Sequence, residues 1–329
     1  MKKKIFLSLM LLPMFFLSSC GNSIAKDFNS KPVDNGYNNY LAGGKMAFFD
    51  NDLYLVYNIQ AAYSLGTYKI NSKGSEKIFD NGDLMVGSSL DDKRLYQLNN
   101  QLYTLDYTSG DIQKYNNNEN KLEKSNYNFT DDSNLFYLSD DLKVYVASSN
   151  DNGFTLGIMY KDNKQFTLDA TVTDFYVYEN TIYYINTDGW LYSFDVTNPN
   201  AKSEFISKLA DGDNSFFTIC NGYCYYDRRF DLEGTSLKAG IYRYSIDDDE
   251  SEYMVNEEIK GYNSYNQFYF VSTNGVFCDD GKTTKKISNI SADELYILDE
   301  DWIYTVDNNK GEIFRISLNG KTTEKIAFV

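Results

Sequence analysis

Short runs of alternating apolar and polar residues recur along the chain, and this two-residue period predicts β-strands. The clearest runs lie near the C terminus, at 302–307, 312–317 and 322–326. The two connections, 308–311 and 318–321, contain Asn and Gly, which tolerate the positive φ that tight hairpin turns require. This stretch therefore predicts three consecutive antiparallel strands.

The same pattern is repeated upstream. A Gly followed by alternating large apolar residues occurs at 66–70, 189–196, 240–246 and 311–318. When looser copies are included, strand starts fall near residues 53, 102, 142, 181, 222, 275 and 301. Most of these starts are separated by close to the ~40 to 45 residues of a four-stranded propeller blade. The repeat therefore predicts an all-β fold, a β-propeller.

The spacing favours seven blades and leaves six blades as an alternative. Because the last interval is short, the blade around 268–287 is predicted to be truncated by one strand. One four-stranded sheet cannot bury its own faces, so stacking around an axis gives a physical reason for the repetition. Two tandem β-sandwiches would also give short alternating strands, but the regular spacing favours the propeller.

The sequences IYTVD at 303–307 and GEIFRISLNG at 311–320 resemble the YWTD propellers of low-density-lipoprotein-receptor type and their bacterial relatives. The resemblance extends from about residue 43 to the C terminus. The Trp of that motif is replaced here by Thr104, Tyr184 and Thr305. The resemblance implies the fold and does not extend to a function.

The first twenty residues contain Lys2 to Lys4, an apolar run at 5–17 and then Leu17-Ser18-Ser19-Cys20. The apolar run is shorter than a membrane span and predicts a secretory signal. The last four residues resemble the lipobox of bacterial lipoproteins. That resemblance implies a signal peptide over 1–19 and lipid attachment at Cys20, which is enough for stable anchoring. A plain signal peptide with an incidental Cys is the alternative.

The chain thus divides into three predicted regions: the signal peptide 1–19, a flexible tether over 20–43, and a propeller over 44–329. The tether is predicted because residues 21–44 are rich in Asn, Ser, Asp and Gly. The expected location is the outer face of the cytoplasmic membrane, or an outer membrane if the source has one.

The full chain has a net charge of −16. Without the three signal lysines, 28 basic side chains face 47 acidic ones, a net charge of −19. An acidic body repels nucleic acid and anionic lipid head groups, so both are excluded as partners of the folded part. The membrane is expected to be a partner only through the lipid on Cys20.

The chain contains no histidine, which excludes Ser-His-Asp triads, Cys-His dyads and His-based metal sites. Adjacent acids on a strand would point to opposite faces, which makes them poor catalytic pairs. The acid clusters fall at predicted turns, so turn or surface roles are predicted for them. They lie at 91–92, 131–132, 140–141, 247–250, 279–280 and 299–301. Loops beginning at Asp211 and Asp307 fail the twelve-residue calcium pattern. No cofactor, metal or catalytic residue is predicted, and a calcium site built from several blade loops stays open.

Three further cysteines are Cys220, Cys224 and Cys278. A two-residue Asn221-Gly222 turn would pair Cys220 with Tyr223 and Ile219 with Cys224. The two sulfurs would then lie on opposite faces of the hairpin. We therefore predict three free and largely buried thiols.

The leading functional hypothesis is a non-catalytic binding or scaffold module for a protein, a peptide or a cell-envelope polymer, with loops at one end of the central channel as the binding surface. One alternative is a carbohydrate-active enzyme, which requires two acids from different blades in one cavity. Another is a structural subunit of an envelope complex, which requires an exposed edge or apolar patch. The 30 Tyr are predicted to serve packing more than sugar stacking.

Overall fold

A computed structural model describes residues 23–24, 28, 30–57, 66–79, 93–106, 112–125, 135–162, 164–198, 200–209, 216–228 and 238–326. We number the strands of this part in chain order. Strand β1 is Ser23–Ile24, and helix α1 is Gly36–Leu41. No helix in these ranges is both long and apolar enough to cross a membrane. The remaining strands form consecutive sets of four, which we call units.

Unit 1 contains β2 (Met46–Phe49), β3 (Asp52–Tyr57), β4 (Gly66–Asn71) and β5 (Gly74–Phe79). Unit 2 contains β6 (Lys93–Leu98), β7 (Gln101–Asp106), β8 (Ile112–Asn116) and β9 (Lys121–Lys124). Unit 3 contains β10 (Leu135–Leu138), β11 (Leu142–Asn150), β12 (Gly153–Tyr160) and β13 (Gln165–Thr167). Unit 4 contains β14 (Val172–Tyr178), β15 (Thr181–Asn186), β16 (Trp190–Asp195) and β17 (Glu204–Lys208).

Unit 5 contains β18 (Phe217–Cys220), β19 (Tyr223–Arg228), β20 (Gly240–Ser245) and β21 (Glu250–Val255). Unit 6 contains β22 (Gly261–Tyr265), β23 (Gln267–Ser272), β24 (Gly275–Asp279) and β25 (Thr284–Ser288). Unit 7 contains β26 (Glu294–Ile297), β27 (Trp302–Asp307), β28 (Glu312–Ser317) and β29 (Thr323–Ile326). The first strand of each unit is its inner strand, and the fourth is its outer strand.

The all-β propeller prediction is confirmed, because sequential strands pair antiparallel in four-stranded sheets. In the described part these units number seven, but they form six sheets, since Phe154 of β12 pairs with Val172 of β14 and joins units 3 and 4. The number of blades therefore stays a prediction. The prediction of a truncated blade is wrong, because unit 6 has four strands. The strand start that the repeat places near residue 275 belongs to the third strand of this unit, not to its second.

The Asn-Gly turn prediction is confirmed by the pairing of Cys220 with Tyr223 and of Ile219 with Cys224. Both turn residues have positive φ, 51° at Asn221 and 78° at Gly222. Unit 2 uses the same two-residue connection, with Asn99 and Asn100 also at positive φ. Asn and Gly supply this conformation at low steric cost, which is why they mark the hairpins in the sequence.

Most of the apolar core lies between neighbouring units. One cluster joins units 7 and 1, a second joins units 6 and 7, a third joins units 1 and 2, and a fourth joins units 5 and 6. A larger cluster connects units 2 to 5 and α1. Each unit therefore packs against its neighbours on both faces, as the repeat predicts.

The predicted tether is wrong from residue 30 onward, because residues 30–43 are part of the folded body. Strand β1 pairs in parallel with β29, the outer strand of unit 7. Phe28 and Val33 are both 5% exposed and pack into the clusters on the two sides of unit 7. The chain then enters the centre of the ring as α1. Cys20 and the signal peptide lie outside the described residues.

Candidate functional site: a filled channel and an open aromatic groove

The centre of the ring is occupied by α1. The helix packs against the inner strands of units 1, 2, 6 and 7. Its Tyr37 ring contacts Tyr137 of unit 3 at 4.9 Å and Tyr176 of unit 4 at 5.4 Å. The predicted binding surface at the channel mouth therefore has a helix from the same chain behind it.

Asparagines hold α1 in place because an amide can donate and accept at once. The Nδ2 of Asn39 donates to the Ile297 carbonyl at 2.7 Å, and its Oδ1 accepts from the Ile297 N–H at 2.9 Å. That side chain therefore pairs with inner strand β26 as another strand would. Its Oδ1 also accepts from Asn263, which in turn accepts from Asn35. These bonds satisfy polar groups of inner strands that have no neighbouring strand on the channel side.

Close packing fixes the helix further. A Cβ on Gly36 would lie 1.9 Å from the carbonyl oxygen of Gln97, so only Gly fits there. At the other end of the helix, the Arg94 guanidinium lies over the Tyr40 ring at 5.2 Å and donates to the Tyr40 carbonyl. The helix is therefore closely packed into the core.

Two of the acid clusters predicted to lie at turns or on the surface contain fully buried carboxylates. Asp279 accepts two hydrogen bonds from Arg243 of unit 5 at 3.0 Å and one from Tyr225. Asp299 accepts from Tyr304 within unit 7, and burial raises the pKa of its carboxyl. Asp279 and Asp299 are therefore not surface residues, but both serve turns as predicted: Asp279 accepts from the Gly281 N–H, and Asp299 accepts from the N–H groups of Asp301 and Trp302. The clusters at 140–141 and 247–250 are exposed, as predicted, whereas 91–92 and 131–132 lie outside the described residues.

One pair of acids from different units does approach. Burial raises the pKa of Asp174 in unit 4 to about 7, and the negative charge of Asp227 in unit 5 adds to the rise. The described cavity beside Asp227 is lined by Arg228, Glu257 and Glu258, and Asp174 does not contribute to it. A glycosidase needs both carboxyl groups at one sugar. Asp174 and Asp227 do not face one cavity together, so this pair does not supply that geometry.

The three cysteines are free and buried, which confirms the prediction for them. Burial raises the pKa of Cys220 to about 12 and also raises the pKa of Cys224 and Cys278. A thiol needs a lowered pKa to act as a nucleophile near neutral pH. These side chains therefore serve packing. Within the described residues, no cluster of three potential metal ligands occurs.

An open groove lies between units 3 and 4. It has a volume of about 670 Å³ and is lined by Phe166 of unit 3 and by Tyr184, Tyr192 and Phe194 of unit 4. Two exposed rings continue this surface: Trp190 is 39% exposed and Phe205 is 56% exposed. We call these six residues together the aromatic groove.

The rings of the aromatic groove are arranged across the strands of unit 4. Tyr184 and Tyr192 face each other on β15 and β16 and stack at 5.3 Å with an interplanar angle of 12°. Phe205 on outer strand β17 follows at 5.7 Å from Tyr192 and 5.6 Å from Trp190, in both cases edge to face. The groove stays open because the neighbouring outer strand, β13, has only three residues. A strand of that length cannot cover the outer part of unit 4.

The equivalent position in other units shows that Phe205 is a departure from the repeat. In units 1, 4, 5, 6 and 7, the third strand places an aromatic ring opposite one outer-strand residue. That outer residue is lysine in units 1, 6 and 7, in the pairs Tyr68–Lys77, Phe277–Lys286 and Phe314–Lys325. It is aromatic in units 4 and 5, in the pairs Tyr192–Phe205 and Tyr242–Tyr253. The sequence patterns considered above do not single out Phe205, although a strand-by-strand alignment of the repeats contains this signal.

The sequence matches no family model and no curated protein. Among solved structures, a post-proline cleaving enzyme from Rickettsia typhi is similar with a TM-score of 0.52 and 9% identity, over 88% of this chain and 54% of that chain. This chain therefore spans about half the length of that enzyme. YCF48 bound to D1 peptide gives a TM-score of 0.48 at 10% identity, over 89% and 98% of the chains. A nidogen/laminin complex gives 0.43 at 10% identity, over 69% and 92%. The likeness concerns the propeller fold alone.

Proposed function

We propose that this protein is a non-catalytic binding or scaffold module of the cell envelope that uses the side of the ring, not the central channel, to bind its ligand. The observation that carries the proposal is the contrast between a channel filled by α1 and a junction left open between units 3 and 4. Contiguous exposed rings are typical of binding surfaces, because single exposed apolar residues are common but clusters are not.

The proposal includes a lipid on Cys20 and a location on the outer face of the cytoplasmic membrane, or on an outer membrane if the source has one. Only residues 21 and 22 separate Cys20 from β1, which begins at Ser23. Two or three extended residues reach about 10 Å. A lipid at Cys20 would therefore hold the outer edge of unit 7 against the bilayer.

In the order of the units, the junction between units 3 and 4 is the one farthest from unit 7. The aromatic groove would therefore point away from the membrane, toward ligands in the envelope or outside it. A protein, a peptide or an envelope polymer fits this position. A structural role in an envelope complex is the second candidate, and it is favoured by the exposed ring of Phe205 on the edge strand β17.

The test uses the full chain, expressed with its leader and purified in detergent, on beads loaded with solubilised envelope material. We expect an envelope component to be retained stoichiometrically and released unchanged. Incorporation of an alkyne fatty acid that is lost in Cys20→Ser would support the anchor. Repeated turnover of an envelope polymer by the purified protein would contradict the non-catalytic proposal.

A further inference from the structure

We infer that the aromatic groove binds a chain of neutral sugars, an inference that rests on the proposed binding function and names its ligand class. Sugar rings present an apolar face of C–H groups and an edge of hydroxyl groups. A matching site therefore combines exposed aromatic faces with short uncharged polar side chains and carries little net charge.

The aromatic part of such a site is present. Trp190 and Phe205 expose their rings to solvent, and Tyr192 lies within 6 Å of Phe205, so the three rings form one continuous surface. Tyr184 stacks on Tyr192 and so supports this surface. Because the rings are held on adjacent strands, little conformational entropy remains to be lost when a ligand binds.

The polar part of the lining is also suitable. Thr167, Thr171, Asn186, Thr187 and Ser203 line the groove with hydroxyl and amide groups. Asp169 and Lys202 are its only charged lining residues within the described part of the chain, and their formal charges cancel. The molecule as a whole has a net charge of −16. A locally neutral groove in an acidic protein favours an uncharged ligand over a cationic peptide or an anionic polymer.

The comparison among units argues against a purely structural role for the exposed rings. At the position of Phe205, units 1 and 6 carry lysine, which keeps an outer strand soluble and protects its free edge from pairing with another chain. Unit 7 also carries lysine there, Lys325, although its outer strand is already paired with β1. Unit 4 has Phe205 instead of lysine at this position, beside an open junction. This arrangement is expected of a ligand site.

Tryptophan fluorescence tests the inference directly, because the chain has only two Trp. Trp302 lies in unit 7 and stacks on Arg315 at 4.3 Å, and Trp302→Phe leaves Trp190 as the sole reporter. This variant of the full chain, in detergent, is titrated with hexasaccharides of β-linked glucose, α-linked glucose and N-acetylglucosamine. We expect at least one of them to shift the emission to shorter wavelength in a saturable manner.

Two further variants in the Trp302→Phe background decide whether the groove is the site. Phe205→Lys installs the residue that other units carry, and we expect it to weaken binding about tenfold through loss of one stacking face. Tyr253→Lys makes the same change at the equivalent exposed position of unit 5 and should leave the affinity unchanged.

The outcomes separate this inference from the proposed function. If no hexasaccharide changes the fluorescence at millimolar concentrations, while envelope material is still retained on the beads, the sugar inference is wrong and the binding module stands. Equal loss of affinity in Phe205→Lys and Tyr253→Lys would also overturn the inference. If neither sugars nor envelope material bind, both proposals fail.

Discussion

Two junctions of the ring differ in how they are closed. Between units 7 and 1, the segment after β1 inserts Phe28 beside Phe48 and over Arg315, and then continues into the channel as α1. Between units 3 and 4, the outer strand β13 is short and an open groove of about 670 Å³ remains. The first junction buries aromatic rings, and the second exposes them.

The junction of units 7 and 1 stabilises the ring, and the proposed binding surface lies at the junction of units 3 and 4 on the opposite side. Units 7 and 1 contain the last and the first four strands of the ring in chain order. They are therefore the two neighbouring units that no chain segment connects directly. The N-terminal segment supplies the missing contacts there. The junction of units 3 and 4 is continuous in the chain and is joined by the β12–β14 pairing, so it can leave rings uncovered without opening the ring.

Asn39→Ala is expected to give the largest effect on the free energy of unfolding, a loss of about 4 kcal/mol. Three hydrogen bonds disappear, and the N–H and carbonyl of Ile297 and the amide of Asn263 remain buried without these partners. Urea unfolding followed by circular dichroism measures the change. Asn289→Ala, at an exposed site, is the matched control. A loss below about 1 kcal/mol would mean that α1 does not hold the inner strands in place.

Phe28→Ala is expected to lower the free energy of unfolding by about 3 kcal/mol, because the buried ring fills space in the cluster between units 7 and 1. Phe28→Leu keeps apolar volume and should lose about half as much. Both variants are measured in the same urea series. If Phe28→Ala lowered the free energy of unfolding no more than the substitution of an exposed Phe does, the N-terminal segment would not seal this junction.

How much of the fold and of the aromatic groove can be predicted from the sequence depends on how far apart along the chain the contacting residues lie. Strands β27 and β28 were predicted with their observed bounds, because alternation and Asn-Gly turns act over a few neighbouring residues. The pattern does not predict strand β26, since its buried residues Leu295, Tyr296 and Ile297 form a short apolar run without alternation.

The N-terminal segment was misread because its composition resembles a linker. Its asparagines act through partners more than 200 residues away, as in the bonds from Asn39 to Ile297 and from Asn35 to Asn263. Local pattern carries no information about such pairs. The aromatic groove depends on the length of β13 relative to its neighbours, so the exposed rings could be found only after the repeats were aligned strand by strand.

The junction between units 4 and 5, on the opposite face of unit 4, sharpens the comparison because it contains a titrating carboxyl. Asp174 is near Asp227 and Tyr262, and its pKa in the folded state is about 7. An acid whose folded pKa is raised binds its proton more tightly in the folded state. The free energy of unfolding therefore falls as the pH rises from about 4 to about 7 and is flat above that.

Asp174→Asn should remove this pH dependence. We expect wild type to lose on the order of 2 kcal/mol across the window, about half of the full linkage value, because the side chain keeps some solvent contact. The Asn variant keeps an acceptor for the Phe175 N–H. The urea midpoints of both proteins are measured at pH 5 and pH 8. If both proteins lost the same stability between these pH values, another group would cause the pH dependence.

Phe205→Lys should have the smallest effect, a change in the free energy of unfolding within about 0.5 kcal/mol, although it removes the most exposed ring of the aromatic groove. Phe205 is 56% exposed, and lysine occupies the equivalent site in units 1, 6 and 7. Phe194→Lys, in the same groove but 4% exposed, should lose several kcal/mol because it buries a charge. If Phe205→Lys were as destabilising as Phe194→Lys, the open junction would be part of the core. A stable Phe205→Lys protein would instead show that the ring is free to serve a ligand.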